Sequence, residues 1–443
     1  MALECFVGTF RSLTTDAVNT DYTLTPGFQA KAGLVFHTGR GEATDTVGGA
    51  THRTGIGMFT STTNRFCCGY MSVDAAAAGS GNEFARGDAI CATYATDSTT
   101  LDGRIDVQAI SATQVTFRVL DVMPVDTTCG VIVWGGTDIT NAIVVEFDHT
   151  TGTGTMDVTT VGFQGDVFFF MGVDEIVNAP TADAAGAQLF FAACTGSTDE
   201  HAWWGGQDQG SASADTGGYC LAGECLLEWG GAINSPGAAG NRAEFSTALS
   251  NGFRINKLIT TRAGVNCYAL VIKGGSWAVN NFTTRTTTGT IVRSSLPFTP
   301  KGLIVVSALR AVSTSPNSTV HDQLSFGATD GTTHHVQSHV DEDGPANMEV
   351  GTGVDFDKVY QNIDTADAKV GDIDWTSFDS GGWTLTQNDA DPVANFCFDI
   401  TCGNSPAGFD TALMAAMQHR EPRVANPVEV VAGGMSPPEF IPT

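Results

Sequence analysis

One phenylalanine motif occurs three times in this chain at a constant spacing. Phe28, Phe163 and Phe298 each belong to a similar motif, and each lies 135 residues from the next. The three motifs occupy residues 27–36, 162–170 and 297–306. A period of this length is that of a whole domain, because solenoid repeats are about 20–50 residues long. The sequence therefore predicts one small fold that occurs three times in tandem.

The similarity extends over the full length of each copy. Apolar residues recur at matching offsets, as in Ile56, Phe191 and Phe326. The copies close with similar strands at 116–120, 252–256 and 381–385. Insertions and deletions fall in polar, Gly-rich stretches, which is where surface loops tolerate them. We therefore place the repeats at 1–138, 139–275 and 276–408, and a different segment at 409–443.

The apolar runs indicate strands. They are short, rich in Val, Thr and Phe, and bounded by Gly, Asp, Asn or Pro. The run at 303–309 is apolar on both strand faces, as expected for a strand inside a stack of sheets. We predict an all-β chain of three tandem antiparallel β-sandwich or jelly-roll-like domains. Linkers as short as Gly135-Gly136 predict a stiff rod or a compact row.

The segment 409–443 has a different character. Asp410 can cap a short helix whose apolar stripe includes Leu413 and Met417. Five prolines follow Glu421, and they exclude a continued helix. The stretch also carries apolar side chains such as Phe440 and Ile441. We predict a short helix and an extended arm that contacts a neighbouring subunit; a frayed terminus is the alternative.

The charge of the chain limits its partners. It has 48 acidic and 21 basic residues, for a formal net charge of −27. A field of this sign repels nucleic acid and anionic lipid, so we expect neither as a partner. No apolar run reaches the ~18 residues that indicate a membrane-spanning helix. The first residues run directly into a predicted strand, so the sequence predicts no signal peptide.

Histidine, acidic and cysteine clusters are the candidate metal sites in this sequence. His334, His335 and His339 precede Asp341-Glu342-Asp343, but the matching positions of the other copies share no ligand set. The acidic run lacks the ligand spacing of a calcium loop. Cys220 and Cys225 have no second pair at zinc spacing, and we expect most cysteines to be reduced core residues. We predict no metal and no cofactor.

Trp203-Trp204 is the most distinctive aromatic pair. Neighbouring strand residues point to opposite faces, so one tryptophan can lie in the core while the other is exposed. An exposed Trp204 could stack on a sugar or contact a protein; burial of both in a core or interface is the alternative. The candidate ligand or partner contacts are Trp203, Trp204, Phe440 and Ile441.

Signatures of catalysis are missing from the sequence. It contains no Gly-x-Ser-x-Gly elbow, no phosphate-binding loop and no dinucleotide fingerprint. Its many carboxylates show no sequence pattern of a glycosidase pair. We therefore predict no catalytic residues and a protein that is not an enzyme.

Three segments carry a family resemblance. Residues 22–36 hold a Thr-rich strand and the Gly-Phe-Gln motif, 377–385 hold Ser-Phe-Asp followed by Gly-Trp-Thr-Leu, and 129–147 hold an apolar strand, Gly-Gly and the next copy. The combination resembles virion structural proteins of tailed bacteriophages, particularly marine ones, in which such β-domains recur singly or in tandem. The resemblance covers about residues 1–408 and brings no catalytic residues with it.

The resemblance implies a non-enzymatic virion protein. We expect it on the particle surface as a tail or fibre-type attachment component. Its partners would be other virion proteins, copies of itself as a homo-oligomer, and host surface glycan. A capsid or tail-surface decoration protein is the first alternative. A carbohydrate-binding module and a depolymerase are the others.

Overall fold

The computed structural model describes residues 2–76, 81–95, 100–173, 187–207, 215–229, 239–260, 265–311, 321–344, 347 and 349–404. All 31 elements in these residues are β-strands, and all their pairings are antiparallel. The predicted all-β antiparallel class is therefore confirmed. The helix predicted after Asp410 and the arm in 409–443, with Phe440 and Ile441, lie outside the described residues.

The strands divide among the three repeats as follows. The first repeat holds β1 (Leu3–Ser12), β2 (Asp21–Leu24), β3 (Ala30–His37), β4 (Thr46–Gly49), β5 (His52–Phe59), β6 (Arg65–Ser72), β7 (Gly81–Arg86), β8 (Cys91–Tyr94), β9 (Leu101–Ile110), β10 (Val115–Asp121) and β11 (Thr127–Gly136). The second holds β12 (Asn141–His149), β13 (Gly154–Val158), β14 (Val167–Gly172), β15 (Ala187–Gly196), β16 (Asp199–Gln207), β17 (Thr216–Ala222), β18 (Leu226–Trp229), β19 (Ala239–Leu249), β20 (Gly252–Thr260) and β21 (Val265–Lys273). The third holds β22 (Ser276–Thr283), β23 (Gly289–Arg293), β24 (Thr299–Ser307), β25 (Asp322–Thr329), β26 (His334–Asp341), β27 (Val350–Asp355), β28 (Lys358–Ile363), β29 (Lys369–Asp379), β30 (Gly382–Asp389) and β31 (Phe396–Asn404).

These strands form six sheets in three matching pairs. The large sheets have the orders β1-β11-β3-β5-β6-β7, β12-β21-β14-β15-β16-β17 and β22-β31-β24-β25-β26-β27-β4. The small sheets have the orders β2-β10-β9-β8, β13-β20-β19-β18 and β23-β30-β29-β28. Apart from the added β4, the strand order is the same in all three pairs.

The recurring motif forms the turn into the central strand of each large sheet. Gly27 and Gly162 have φ angles of 85° and 81°, a backbone region that favours glycine. The phenylalanine that follows packs against the sandwich core of its own repeat, and Phe298 does the same in the third repeat. The motif therefore recurs because each repeat needs the same phenylalanine anchor, whereas the turn differs in the third repeat, where Pro297 replaces the glycine.

Strands of the large and small sheets differ in their burial. All six residues of β14 are buried, as a strand covered on both faces requires. In β10, buried residues alternate with partly exposed ones, as in a strand with one face toward solvent. Each large sheet therefore lies inside the molecule, and each small sheet forms its outside.

Two kinds of core result from this layering. Each large sheet packs on the small sheet of its own repeat over a separate apolar cluster. The other faces of the three large sheets meet in a single shared cluster. Leu34, Phe169 and Ile304 occupy matching positions, 135 residues apart, and all three lie in this shared core.

The repeats close on one another, which corrects the expected rod or row. In a row the first and third repeats would not touch. Here β1 packs against β24 and β26, and β15 packs against both β6 and β22. The ring of Phe326 lies 4.6 Å from that of Phe36 and 5.1 Å from that of Phe191, measured between centroids. Short linkers predict only that consecutive repeats lie close together. The apolar second face of each large sheet is what brings all three repeats into contact.

Strand β4 passes from the first repeat to the third. Its residues pair with β27, in a register that runs from Gly49 opposite Gly351 to Thr46 opposite Val354. This covers a sheet edge that would otherwise present unpaired backbone groups. The exchange adds main-chain hydrogen bonds to the apolar contact between the two repeats.

We expect Phe326→Ala to lower the free energy of unfolding by about 3–5 kcal/mol, because it leaves a cavity where rings from three repeats meet. Chemical denaturation followed by tryptophan fluorescence measures this change. Unfolding should remain one cooperative transition, since the shared core couples the repeats.

Val292→Ala is the matched control. Val292 is 62% exposed, and its truncation should change stability by less than about 0.5 kcal/mol. Three separate transitions in calorimetry, with only one of them altered by Phe326→Ala, would contradict a shared core.

Candidate functional site

The two tryptophans selected from the sequence lie in two different cores. Trp203 is in the shared core, and its Nε1 donates to the carbonyl oxygen of Gln323 at 3.0 Å. Trp204 is in the sandwich core of the second repeat, and its Nε1 donates to Oε1 of Gln188 at 2.8 Å. The two side chains are 0% and 1% exposed. The exposed sugar platform at Trp204 is therefore wrong, because both faces of this sheet are covered.

A buried polar cluster lies where the repeats meet. We call it the junction cluster, and it consists of His52, Thr54, Tyr70, Asp322, His339 and Asp341. The first three residues belong to the first repeat and the last three to the third. All six are at most 1% exposed. Such complete burial is rare for carboxylates and histidines, so their partners decide what the cluster can do.

Matching strand positions assemble this cluster. His52 and Asp322 begin β5 and β25, and Ala187 begins the matching strand β15. Tyr70 and His339 occupy the same register position in β6 and β26. The closure of the three repeats therefore brings different residue types together at equivalent places.

The two imidazole rings are held as a stacked pair. The rings of His52 and His339 lie 4.4 Å apart between centroids, with an angle of 7° between their planes. The hydroxyl of Thr54 lies 3.2 Å from Nδ1 of His52 and 2.9 Å from Nδ1 of His339. One hydroxyl therefore fixes the Nδ1 edge of both rings.

The opposite edge of each ring faces a carboxylate. Nε2 of His52 lies 2.9 Å from Oδ2 of Asp341. Nε2 of His339 lies 2.8 Å from the hydroxyl of Tyr70 and 3.6 Å from Oδ2 of Asp322. The Tyr70 hydroxyl also hydrogen-bonds Oδ2 of Asp322. The Nε2 edge thus joins two imidazoles, two carboxylates and a phenol.

The second repeat forms a wall of the cluster. Thr216 Oγ1 donates to the carbonyl oxygen of Asp341 at 3.0 Å and accepts from the amide of Asp322 at 3.3 Å. A Cβ atom on Gly205 would lie 2.2 Å from Oδ1 of Asp322, and one on Gly218 would lie 2.9 Å from it. The two glycines therefore allow the buried carboxylate to approach the backbone of the second repeat.

Burial opposes charge throughout the cluster. It lowers the pKa of His52 to about 3 and, together with the neighbouring His52, lowers the pKa of His339. It raises the pKa of Asp322 and raises that of Asp341 to about 7. Both imidazoles are therefore neutral at pH 7, and both carboxyl groups ionise less readily than usual.

The sequence comparison of the three copies missed this cluster. It treated His339 as a plain strand residue because Tyr70 and Gly205 do not share its chemistry. In the folded chain these positions are neighbours instead of copies in separate domains. The signal in the sequence was that two matching positions of the first and third repeats are polar in both, namely His52 with Asp322 and Tyr70 with His339.

A second polar contact joins the first and third repeats. Oε1 of the buried Gln337 accepts from the amide of Thr38 at 2.7 Å and from its hydroxyl at 3.0 Å. Its Nε2 donates to the carbonyl oxygen of Thr128 at 2.8 Å. Gln337 therefore satisfies backbone groups of the first repeat that the interface removes from water.

An arginine-lined cavity opens in the first repeat. It has a volume of about 460 Å³, and its lining includes Arg11, Arg40 and Arg53. Arg11 pairs with Asp126 at 2.7 Å and Arg40 with Glu42 at 3.0 Å. Guanidinium groups suit carboxylate or phosphate ligands, but two of these three charges are already balanced. The cavity can hold a small anion.

Comparison with models of known protein families and with curated proteins finds no match to this chain. Within the described residues, the structure has no helix that is long and apolar enough to cross a membrane. What the junction cluster can bind is therefore inferred from its own geometry. Because every member is buried, the cluster can hold a proton or a small ion and excludes a larger ligand.

We expect Gln337→Met to destabilise the chain by about 2–4 kcal/mol. The substitution keeps the volume but leaves the Thr38 amide and the Thr128 carbonyl buried without their partner. Urea denaturation measures the loss. Gln114→Met on the exposed hairpin is the control and should change stability by less than about 0.5 kcal/mol. Equal effects of the two substitutions would refute the bridging role.

Acid should destabilise the chain through His335, which packs between Phe36 and Phe356. Burial lowers its pKa to about 3, whereas in the unfolded chain it has its ordinary value of 6.5. Below pH 6.5 the unfolded state therefore binds the proton first. Stability is lost as the pH falls from 6.5 toward 3, by up to about 3 kcal/mol at pH 4.

His335→Gln tests this contribution, because glutamine does not titrate in this range. The stability that the variant loses between pH 7 and pH 4 should be smaller than the loss in the parent. Other titrating groups cancel in this comparison, since both proteins contain them. Parallel stability curves for the two proteins would show that His335 does not contribute.

Proposed function

We propose that this chain is a non-enzymatic structural protein of a tailed-phage particle, exposed on its surface as a tail or fibre-type attachment component. The resemblance of its repeat motif to virion proteins is the reason for proposing this class of protein. The closed packing of the three repeats is the observation that carries the structural role. The proposed site of action is the virion, after assembly in the host cytoplasm.

In this proposal the chain is a single-chain counterpart of a trimer. Its three repeats are tandem β-sandwich domains of jelly-roll type, each with its large sheet toward the shared core. Joining three such domains in one chain removes the loss of translational and rotational freedom that separate subunits incur on association. A rigid three-lobed unit of this kind suits an exposed appendage, which must resist shear and dilution.

The outer surface supplies the variation that attachment requires. The small sheets form the outside, and the sequences of the repeats differ in length within residues 75–100, 210–241 and 345–374. Binding residues are frequently carried on loops that a rigid scaffold positions. The partners in this proposal are other virion proteins, further copies of the chain and a host surface glycan.

A decoration protein is the second candidate, and the closure of the repeats favours it. Three similar lobes around one core match a three-fold position on a shell, where one chain could replace three identical subunits. The high negative charge would keep such a surface soluble at high copy number. A glycan-binding module remains a third candidate, with a surface other than Trp204.

Copy number in purified particles separates these roles. Quantitative mass spectrometry should give a low ratio of this chain to the major shell protein, and antibody-labelled particles should show it on the tail. An antibody against the folded chain should then slow adsorption to host cells. A ratio near that of the shell protein, with label on the head, would favour decoration. Absence from the particle would refute both.

A further inference from the structure

The junction cluster buries two carboxylates without a cationic side chain bound to them. Within the described part of the chain, no lysine or arginine ion pair reaches Asp322 or Asp341. Arg310 acts on Asp322 electrostatically, and its Nε and Nη2 donate to the carbonyl oxygens of Ala308 and His321. Two buried carboxylates need a compensating charge or protons, because burying unpaired charge is costly.

The cluster has fewer hydrogen atoms available for hydrogen bonds than it has polar contacts. The cluster contains five polar contacts: Thr54 with His52, Thr54 with His339, His52 with Asp341, His339 with Tyr70, and Tyr70 with Asp322. Two neutral imidazoles and two hydroxyls bring four hydrogens, one fewer than the contacts require. At least one contact therefore joins two acceptors unless a further proton or a cation lies between them.

The Nδ1 edge is arranged as in a metal site. Histidine ligands commonly donate their second ring N–H to an oxygen that fixes the tautomer. Thr54 Oγ1 is near enough to accept from both Nδ1 atoms, and a hydroxyl oxygen has two lone pairs for this. Both Nε2 lone pairs would then point toward the carboxylates, where one cation can satisfy all four groups at once.

We propose that the Nε2 edge of the junction cluster binds one divalent transition-metal ion. The donor atoms of His52, Asp322 and His339 already lie within 4.8 Å of one another. Asp341 lies outside this group of three, but its Oδ2 is 2.9 Å from Nε2 of His52, so we assign it as the fourth ligand. Two imidazoles and two carboxylates are ligands that zinc accepts, and four of them complete its tetrahedral coordination.

The ion balances the cluster in charge and in geometry. Two ionised carboxylates and two neutral imidazoles carry a charge of −2, which one divalent ion cancels. Oδ1 of Asp322 is buried and has no hydrogen-bond partner among the described residues, so the carboxylate can turn toward an ion. Because the two rings are stacked, one imidazole must turn about its Cβ–Cγ bond before both nitrogens reach the ion, and that ring then exchanges its Nδ1 contact with Thr54 for the bond to the metal.

Such an ion would join the first repeat to the third. Its ligands come from β5, β25 and β26, and Thr216 of the second repeat holds two of the ligand residues by their backbones. Metal bound only in the folded chain stabilises that state. The ion would therefore fasten the closure of the three repeats, whichever particle position the chain occupies.

Metal content and refolding test the proposal on the full chain, purified without an affinity tag or chelator. Elemental analysis should find about one zinc ion per chain. Chain unfolded with a chelator and refolded with Zn²⁺ should melt at a higher temperature than chain refolded without it. Refolding with Co²⁺ should give the visible absorption of a four-coordinate site. These readouts do not depend on the particle or on attachment.

Asp322→Asn and His201→Gln are the matched variants. Asp322→Asn keeps the side-chain shape but removes a charged ligand, so it should lose the metal and the increase in melting temperature. His201 is buried in the second repeat outside the cluster, and its variant should keep both.

Two outcomes would overturn the proposal. One is parent protein that carries no metal and melts at the same temperature with and without Zn²⁺, which would leave an extra proton as the occupant of the cluster. The other is Asp322→Asn protein that binds metal as the parent does, which would place the ion elsewhere. Both outcomes can be read on the parent or on a folded variant, so a misfolded variant does not decide the test.

Discussion

The burial of both faces of each large sheet is the constraint on which the rest of this structure depends. One face packs on the small sheet of the same repeat, and the other packs on the large sheets of the other two repeats. Apolar burial contributes about 25 cal/mol per Å², so a wide apolar face cannot remain exposed to water. The repeats therefore close into one unit, and the small sheets carry the solvent-exposed surface.

The closure of the three repeats also determines which polar groups lose their contact with water. At sheet edges and strand ends, the packing removes backbone and side-chain groups from water, and these need partners from another repeat. Gln337 supplies such partners to Thr38 and Thr128, and β4 supplies them to β27. The junction cluster belongs to the same series, since its polar groups find partners only because the first and third repeats meet. The polar contacts between repeats and the apolar packing between them thus stabilise the same arrangement.

The strand content and the period could be predicted from the sequence, because both depend on local pattern. Alternation, turn residues and the Phe28, Phe163 and Phe298 spacing carry that information in consecutive residues. The closure could not be predicted in this way, since it depends on which face of a doubly apolar strand meets which neighbour. For the same reason Trp204 was taken for a surface candidate and His339 for an ordinary strand residue. The Thr54 hydroxyl that contacts His339 lies 285 positions away in the chain, and Trp204 is covered by the small sheet of its own repeat.

A tandem chain can build a site that three identical subunits cannot. In a symmetric trimer every position near the axis occurs three times, so one histidine there brings two more. In this chain the matching positions hold Tyr70, Gly205 and His339, and another set holds His52, Ala187 and Asp322. Gly205 has no side chain, so it leaves space for the polar side chains that the first and third repeats contribute. Sequence differences between the repeats therefore matter most at the positions where the repeats meet. Residues that differ among the copies at these positions act together as one site.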